Sequence, residues 1–303
     1  MTEATLILGK DNPPGGRHDF VQAARAAFNK GIYFEFAGGL GDLVNQLVLT
    51  DALTKLENLR STDRAVIVLL CQNPDAPDLF LYHRLAGQFT ILSLGACVGD
   101  SYRRRHGLPP APPVPPHVES PPPFRPRFSK SDEAALAMLP EKFVAFSVTA
   151  AGGRLENRSI PSRIYTAAAR CCLDLGLAPV FLGKRYAHGI LDEQRPFFPH
   201  DESDPPNFAG VVSLIDHMSV SGSLECVRRA AATVVCNSAI MNASWRMRRP
   251  TFYVATDHDW AAYERREKNG YTYGLAYPEN TGCSHAGYTD EKLSAFLGRA
   301  QTT

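Results

Sequence analysis

The sequence predicts an α/β protein with two doubly wound domains that face each other across a cleft. Three observations lead to this prediction. Apolar strand segments alternate with helical segments in both halves of the 303 residues, a glycine turn joins the first strong strand to a helix, and a proline-rich segment separates the halves. Such alternation implies right-handed crossovers and parallel sheets. Ligands of these folds bind outside the carboxyl ends of the strands, so the site is expected in the cleft.

The first half is organised around residues 32–56, which read IYFEFAGGLGDLVNQLVLTDALTKL. The aromatic and β-branched residues 32–36 are typical of a short buried strand. Gly38, Gly39 and Gly41 then form a turn, because glycine tolerates positive φ and lets a ligand approach the backbone. The apolar residues that follow recur at helical spacing. We expect a strand, a glycine turn and a helix, the first unit of a nucleotide-type domain.

Asp42 stands where this helix begins, and two roles are open to it. A carboxylate can cap the free N–H groups of a first helical turn. It can also act as a general base that takes a proton from an acceptor hydroxyl. The order GLGD does not fit the dinucleotide-binding glycine motif, and no lysine follows as it does in a phosphate loop. The residues alone leave both roles standing.

The other elements of the first half follow in order. Residues 5–9 are a short apolar run, and residues 19–29 are typical of a short helix. Residues 65–70, AVIVLL, form the uninterrupted apolar run of a central parallel strand. Residues 78–86 predict a helix, and residues 89–94 predict another strand.

A proline-rich segment, residues 109–126, separates the two halves. Ten of its eighteen residues are proline, which fixes φ and has no N–H, so neither a helix nor a central strand can form. We expect a stiff polyproline connector, with a motif for a proline-binding partner as the alternative. The predicted division is a first domain at 1–108, a linker at 109–127, a second domain at 128–256 and a tail at 257–303 that can pack back on the first domain.

The second half repeats the alternation. Strands are expected at 143–148, 179–182, 208–212, 233–236 and 251–255, and helices at 131–139, 161–175, 221–232 and 239–247. Pro161 suits the first turn of its helix, and Gly176 suits its end. Ser221 or Ser223 is the expected cap of the third of these helices.

Composition narrows the class of protein. The formal charge is +1, so no bulk field attracts nucleic acid or an acidic membrane, and the arginines at 103–105 and 246–249 are local clusters. No apolar run approaches the ~20 residues of a membrane helix. Residues 1–10 lack the pattern of a signal peptide. These features predict a cytoplasmic protein without a transmembrane segment.

The cysteines and histidines indicate neither disulfides nor a metal. The seven cysteines include no C-x-x-C pair and are expected to be reduced and buried. Asp257, His258 and Asp259 can be drawn as a ligand set, but a polar loop after a strand is the better interpretation.

Three segments in the same order resemble the heptosyltransferase family of lipopolysaccharide assembly. Residues 37–53, AGGLGDLVNQLVLTDAL, are similar to the family's glycine–acid turn and helix. Residues 143–183 are similar to its strand, loop with a basic residue, helix and strand. Residues 223–256, which contain ATVVCNSAIMNASW, are similar to its valine-rich strand, Asn/Ser-Asp-Ser-Gly turn and helix. Together the three segments cover about half of the chain.

The resemblance implies a GT-B fold of two Rossmann-like domains and a role for several residues. Asp42 matches the family's catalytic base, and Asn237, Ser238 and Ala239 match the signature turn that meets the donor pyrophosphate. The implied donor-binding residues are Arg158, Lys184, Glu225, Asn237, Ser238 and Ala239, and the implied acceptor or cleft residues are Gly38, Gly39, Gly41 and Asn45. Ser238 replaces the signature's Asp, and Ala239 replaces its Gly.

Simpler roles stand beside these. Arg158 can form a surface ion pair, Glu225 can be an exposed helix residue, and Asn237 with Ser238 can be a helix cap. The resemblance favours the base for Asp42.

The function that the resemblance implies is sugar transfer from a nucleotide-sugar to an acceptor hydroxyl, inverting and metal-independent, with no cofactor beyond the nucleotide-sugar substrate. A saccharide or lipid-linked saccharide is the default acceptor, and a modified nucleic-acid base is the second option. Two further classes of function stay open: a nucleotide-sugar epimerase or hydrolase, and a non-catalytic nucleotide-binding protein.

Overall fold

The computed structural model of the chain contains two compact units. The residues that the structure describes are 5–8, 32–38, 40–41, 43–44, 55–56, 58–71, 76–81, 86–93, 128–148, 159–183, 205–257, 259–261 and 279–301. Those up to Phe128 belong to the first unit, and those from Ser129 onward belong to the second. The predicted linker at 109–127 lies outside the described residues.

Four parallel strands form the sheet of the first unit, in the spatial order β1-β4-β3-β2. They are β1 (Thr5–Leu8), β2 (Ile32–Gly38), β3 (Ala65–Cys71) and β4 (Phe89–Ser93). A short helix, α1 (Asp78–Leu81), and a 3-10 turn (Ala86–Gln88) lie between β3 and β4. The three strands predicted for this half are confirmed, and the short apolar run at residues 5–9 supplies the fourth.

The core of the first unit surrounds β3, where every residue from Ala65 to Leu69 is buried. A strand buried on both faces needs an uninterrupted apolar run, which is what the sequence provides. Phe36 of β2 stacks on Phe80 of α1 with ring centroids 5.8 Å apart. Leu43 and Val44, in the helical residues after β2, are also buried. The predicted strand and the start of the predicted helix are therefore present, with Gly38 in β2 and Gly41 in the helical residues, while Gly39 of the predicted turn lies outside the described residues.

Six parallel strands form the sheet of the second unit, in the order β10-β9-β8-β5-β6-β7. They are β5 (Phe143–Ser147), β6 (Ala178–Phe181), β7 (Val212–Ser213), β8 (Ala232–Val235), β9 (Thr251–Ala255) and β10 (Thr281–Ser284). Every neighbouring pair of these strands is parallel.

Helices cover both faces of this sheet. They are α2 (Lys130–Ala137), α3 (Ser162–Asp174), α4 (Val220–Arg229), α5 (Ala239–Arg246) and α6 (Asp290–Ala300). Helix α3 packs against α6, whereas α4 packs against α2 and α5. Successive strand residues point to opposite faces, so Val234 joins the core beneath α3 and α6 while Val235 packs with Trp245 of α5.

The structure corrects four expectations for this half. Pro161 is the N-cap of α3 rather than a residue of its first turn. The strand expected at 208–212 is reduced to Val212–Ser213. Residues 281–300, expected in a tail, supply β10 and α6 to the second unit. The cap of α4 is Ser219 and not Ser221 or Ser223, because both of those lie inside the helix.

The N-termini of α2 and α4 share one buried carboxylate, that of Asp132. Its Oδ2 accepts hydrogen bonds from the hydroxyls of Ser129 (2.8 Å) and Ser219 (2.7 Å), and its Oδ1 accepts from the backbone N–H of Ser219 (2.8 Å). Ser219 Oγ in turn accepts from the N–H of Gly222 (3.1 Å). A fully buried charge is tolerated only when its oxygens are bonded in this way. Asp132 therefore fixes α4 to α2 across 87 positions of sequence.

We predict that Gly222→Ala destabilises the fold by about 1–3 kcal/mol, because the new methyl group would overlap Oδ1 of Asp132. Chemical denaturation measures the loss. Gly298→Ala is the matched control, since Gly298 of α6 faces open space and alanine is the better helix former by up to about 1 kcal/mol. Equal effects of the two substitutions would contradict the shared-cap interpretation.

Five cysteines of the second unit are buried and free, as predicted: Cys171, Cys172, Cys226, Cys236 and Cys283. Burial raises the pKa of Cys226 to about 12 and that of Cys283 to about 11. These thiols are therefore protonated and pack as small apolar groups. Within the described ranges, no helix has the length and apolar character needed to cross a membrane.

Candidate functional site

The order in which the chain adds strands to the second sheet reverses between β5 and β8, its two central strands. From β5 the chain continues through α3 to β6 on one side, and from β8 it continues through α5 to β9 on the other. These two strands are therefore the topological switch point of the sheet, and ligands of such folds bind in a crevice outside the carboxyl ends of the strands there. This switch point is the candidate binding site of the second unit.

Two serines meet at the switch point. Ser147, the last residue of β5, is only 3% exposed. Its hydroxyl lies 3.4 Å from the hydroxyl of Ser238, which follows β8. The backbone N–H of Cys236 donates to the carbonyl of Ser147 (3.0 Å), so the two strand ends are held together. The two hydroxyls can donate to a ligand in the crevice.

The N-terminus of α5 opens toward this crevice, and its cap is weak. Ser238 is the N-cap, and its side chain accepts from the N–H of Met241 at 3.4 Å, near the limit for a hydrogen bond. No acidic residue lies in the first turn of α5. Asn237 and Ala239 are partly exposed. The first N–H groups of α5 and the positive end of its dipole are therefore available to an anion.

The N-terminus of α3 is also without an acidic cap. Pro161 makes no side-chain capping bond, and the first turn carries Arg163 but no acid. The other three described helices of this unit of eight or more residues differ, because an acid serves each N-terminus: Asp132 for α2 and α4, and Asp290 with Glu291 for α6. The two N-termini left without an acid follow β5 and β8. The positive ends of these two helix dipoles therefore lie at the switch point.

Glu225 lies in α4, the helix that precedes β8, as the resemblance implies, and its role toward a donor stays a prediction. It is 7% exposed, so the simpler expectation of an exposed helix residue is wrong. Arg228 binds both of its carboxylate oxygens at 2.6 Å, and Arg229 binds Oε1 at 2.7 Å. Burial raises the pKa of Glu225, but the hydrogen bonds from the two arginines outweigh this effect. The pKa of Glu225 therefore lies below its ordinary value. The carboxylate is bonded to the last turn of α4, whereas Ser238 lies at the opposite, carboxyl edge of the sheet.

A polar cluster lies at the ends of β9 and β10. Asp257 accepts a hydrogen bond from the N–H of Ala286 (3.3 Å), and this bond together with one from Ser284 lowers the pKa of Asp257. His285 is partly buried, and no described residue is a hydrogen-bond partner of its buried Nε2. Burial lowers the pKa of His285 below 6.5, Asp257 opposes this effect, and Arg163 adds to it. The folded chain therefore favours the neutral imidazole.

We predict that His285 makes the fold sensitive to mild acid. Its pKa is lowered on folding, so its contribution to stability is present above pH 6.5 and is lost as pH falls through the folded-state value. In His285→Leu the free energy of unfolding should fall less between pH 7.5 and 5 than in the wild type. The exposed His217 supplies the control, because His217→Leu should keep the wild-type dependence. Parallel pH profiles for His285→Leu and wild type would contradict the prediction.

Several implied site residues lie outside the described residues: Asp42, Gly39 and Asn45 in the first domain, and Arg158 and Lys184 in the second. Their roles stay predictions. Gly38 ends β2 in register with Cys71, and Gly41 lies in the helical residues that follow. His258 is also outside the described residues. Among the residues that are described, no group of three or more His, Cys, Asp or Glu is arranged to hold a metal ion.

Two residues near the switch point, Ser147 and Arg163, were not predicted from the sequence, whereas His285 was predicted as part of a tail that can cover the cleft. Ser147 is a small polar residue at the end of an apolar strand. It would have been a candidate if β5 had been recognised as a strand of the switch point. Arg163 is one of many arginines in the sequence, and it becomes a candidate only because it lies in the first turn of α3. His285 was expected in the tail, because the small residues TGCS do not resemble a strand.

Solved structures that share this fold include two bacterial enzymes. One is the glycosyl transferase family 9 protein from Veillonella parvula DSM 2008, with a TM-score of 0.54 and 10% identity over 90% of this chain and 97% of that chain. The other is the E. coli ADP-heptose lps heptosyltransferase II, with a TM-score of 0.51 and 11% identity over 90% of this chain and 98% of that chain. No protein-family model matches the sequence. No curated protein matches it either.

The resemblance to heptosyltransferases found in the three sequence segments is confirmed at the level of the fold. The chain is mixed α/β with parallel sheets, as predicted. Identities of 10% and 11% give no residue of this chain a role.

Proposed function

We propose that this chain is a glycosyltransferase that moves a sugar from a nucleotide-sugar to an acceptor hydroxyl. One observation carries the proposal: the two helix N-termini without an acid are the two that follow the strands of the switch point. A nucleoside diphosphate is the anion that such a crevice suits best, because its phosphates can accept from the free N–H groups. The fold shared with the V. parvula glycosyl transferase supports the same class of reaction.

In this proposal α5 stabilises the departing group. As the bond between the anomeric carbon and the diphosphate breaks, negative charge grows on the diphosphate. Fixed N–H dipoles that already point at this position need no reorganisation, which makes them effective in the transition state. Ser147 and Ser238 supply hydroxyl donors beside them. Arg158 and Lys184 are the proposed cationic partners of the phosphates.

Asp42 is the proposed general base. Its carboxylate takes the proton of the acceptor hydroxyl while the oxygen forms a bond to the anomeric carbon from the face opposite the diphosphate. The product is then an inverted glycoside, and the nucleoside diphosphate leaves with the bonding electron pair. The proposal requires the first domain to bring Asp42 and the acceptor to the donor. Peptide dipoles and basic side chains neutralise the diphosphate, so the proposed reaction needs no metal.

The replacement of the family's Asp by Ser238 bears on the donor. A serine at the cap removes a negative charge from the place where phosphates would lie. The printed name of the E. coli enzyme includes ADP-heptose, and an ADP-linked sugar therefore belongs in any donor screen. UDP-, GDP- and dTDP-sugars complete the set. A saccharide or a lipid-linked saccharide is the proposed acceptor.

We predict that one class of nucleotide-sugar stabilises the protein and that Asp42→Asn abolishes transfer without weakening its binding. A donor at ~100 times its Kd adds about 2.7 kcal/mol to the free energy of unfolding, which a thermal-shift assay detects. Loss of the base should reduce kcat by ~10²- to 10⁴-fold. Asp51→Asn, further along the same predicted helix, is the matched control and should remain active.

Other outcomes would contradict this function. Activity that survives in Asp42→Asn would leave Asp42 with the role of a helix cap. Consumption of the donor without any acceptor would indicate an epimerase or hydrolase. The absence of stabilisation by every nucleotide-sugar would overturn the proposal.

A further inference from the structure

We propose a second anion site, at the amino edge of the second sheet, where Arg228, Arg229 and Arg249 bind a phosphate-type oxyanion. It is separate from the crevice at the carboxyl edge and does not depend on the proposed sugar transfer.

The three arginines converge because α4 and α5 both end at this edge. Arg228 and Arg229 form the last turn of α4, just before β8 begins. Arg249 precedes β9, which pairs with β8. The N–H of Thr233 donates to the carbonyl of Pro250 at 2.9 Å, so the two chain segments are in direct contact.

Arg249 is a buried donor without an acceptor. Its Nε is inaccessible to solvent, and no hydrogen-bond acceptor for it is present in the described parts of the chain. An unsatisfied buried polar group costs about 1–3 kcal/mol, and more when it is charged. Burial lowers the pKa of Arg249, Arg228 lowers it further, and Glu225 partly opposes both. An added anion would therefore stabilise the charged guanidinium of Arg249 in this partly buried position.

Glu225 does not supply the missing acceptor: its oxygens accept three hydrogen bonds from Arg228 and Arg229 and none from Arg249. Arg228 and Arg229 therefore share one carboxylate, and no described acid forms an ion pair with Arg249. The side chains of Arg228 and Arg229 are 50% and 43% exposed. They can reach an incoming ligand while Arg249 forms the floor of the site.

The backbone beneath Arg249 is fixed. Helix α5 ends in a turn in which Arg248 adopts a positive φ of 56°, and the N–H of Arg249 donates to the carbonyl of Ser244 (3.0 Å). Helix α3 ends in the same turn, but with Gly176 at φ 73°. Glycine is the usual residue there, since other residues are strained. The buried hydroxyls of Thr233, Ser244 and Thr251 then join α5 to β8 and β9.

Helix dipoles explain only part of this arrangement. The negative ends of α4 and α5 favour basic residues in general. They do not explain why a buried Nε has no acceptor or why Arg249 lies beside Arg228. A planar guanidinium fork matches the oxygens of a phosphate group. Because the three arginines belong to two neighbouring chain segments at one edge of the sheet, the proposed ligand is a single phosphate group rather than the extended backbone of a nucleic acid.

The test is titration of the whole protein with inorganic phosphate at constant ionic strength, with chloride as the reference anion. Arg249→Met should weaken phosphate binding by about tenfold or more, the effect of losing a charged hydrogen bond. The same substitution should raise the Tm of the phosphate-free protein, because it removes an unsatisfied buried donor. Arg299→Met, on the exposed face of α6, is the matched control for binding and should leave the phosphate affinity unchanged.

Arg229→Met supplies a second variant that keeps the buried Arg249, and it should also weaken binding. Unchanged phosphate affinity in both Arg249→Met and Arg229→Met would overturn the proposal, as would a lower Tm of phosphate-free Arg249→Met. A steeply salt-dependent complex with a single-stranded oligonucleotide, lost in Arg249→Met, would overturn it in favour of a nucleic-acid surface. Phosphate bound at the N-terminus of α5 would be unaffected by these variants. The test therefore stands even if no nucleotide-sugar binds.

Discussion

The parallel pairing of β5 with β8 is the constraint on which the second unit depends. It joins Val144–Ser147 to Ala232–Val235 in register and makes the two chain segments leave the sheet in opposite directions. The N-termini of α3 and α5 therefore both lie at the carboxyl edge. At the other edge the pairing of β8 with β9 brings the ends of α4 and α5 together. The order of these three strands thus positions both the proposed ligand site and the arginines.

Acidic side chains then distinguish one helix N-terminus from another. Asp132 occupies two of them, and Asp290 with Glu291 serves a third. Carboxylates there are stabilising and also repel anions. The chain therefore gains stability where no ligand is proposed and leaves the first turns of the two helices at the switch point without an acid. At the amino edge the excess charge is positive, because the single carboxylate of Glu225 neutralises only part of the charge of Arg228 and Arg229.

The sequence predicted most elements, because their signals are local. Strands such as β3 and β9 are covered on both faces, and this requirement appears in the sequence as a run of consecutive, mostly apolar residues. The signature turn at Ser238 was likewise recognisable from its neighbours. What escaped prediction depends on distant partners: the cap at Ser219 depends on Asp132, and β10 is a strand only because it adds to the edge at β9.

The measurement that tests the central claim most directly is nucleotide-sugar binding by Ala239→Glu, compared with Ala239→Gln. A carboxylate in the first turn of α5 should preserve or raise the Tm, because it complements the helix dipole. It should also abolish donor binding, because it repels the diphosphate, whereas the neutral glutamine should retain most of the affinity. Stability and binding that change in opposite directions are the predicted result. Unchanged donor affinity in Ala239→Glu would contradict the placement of the diphosphate at the switch point.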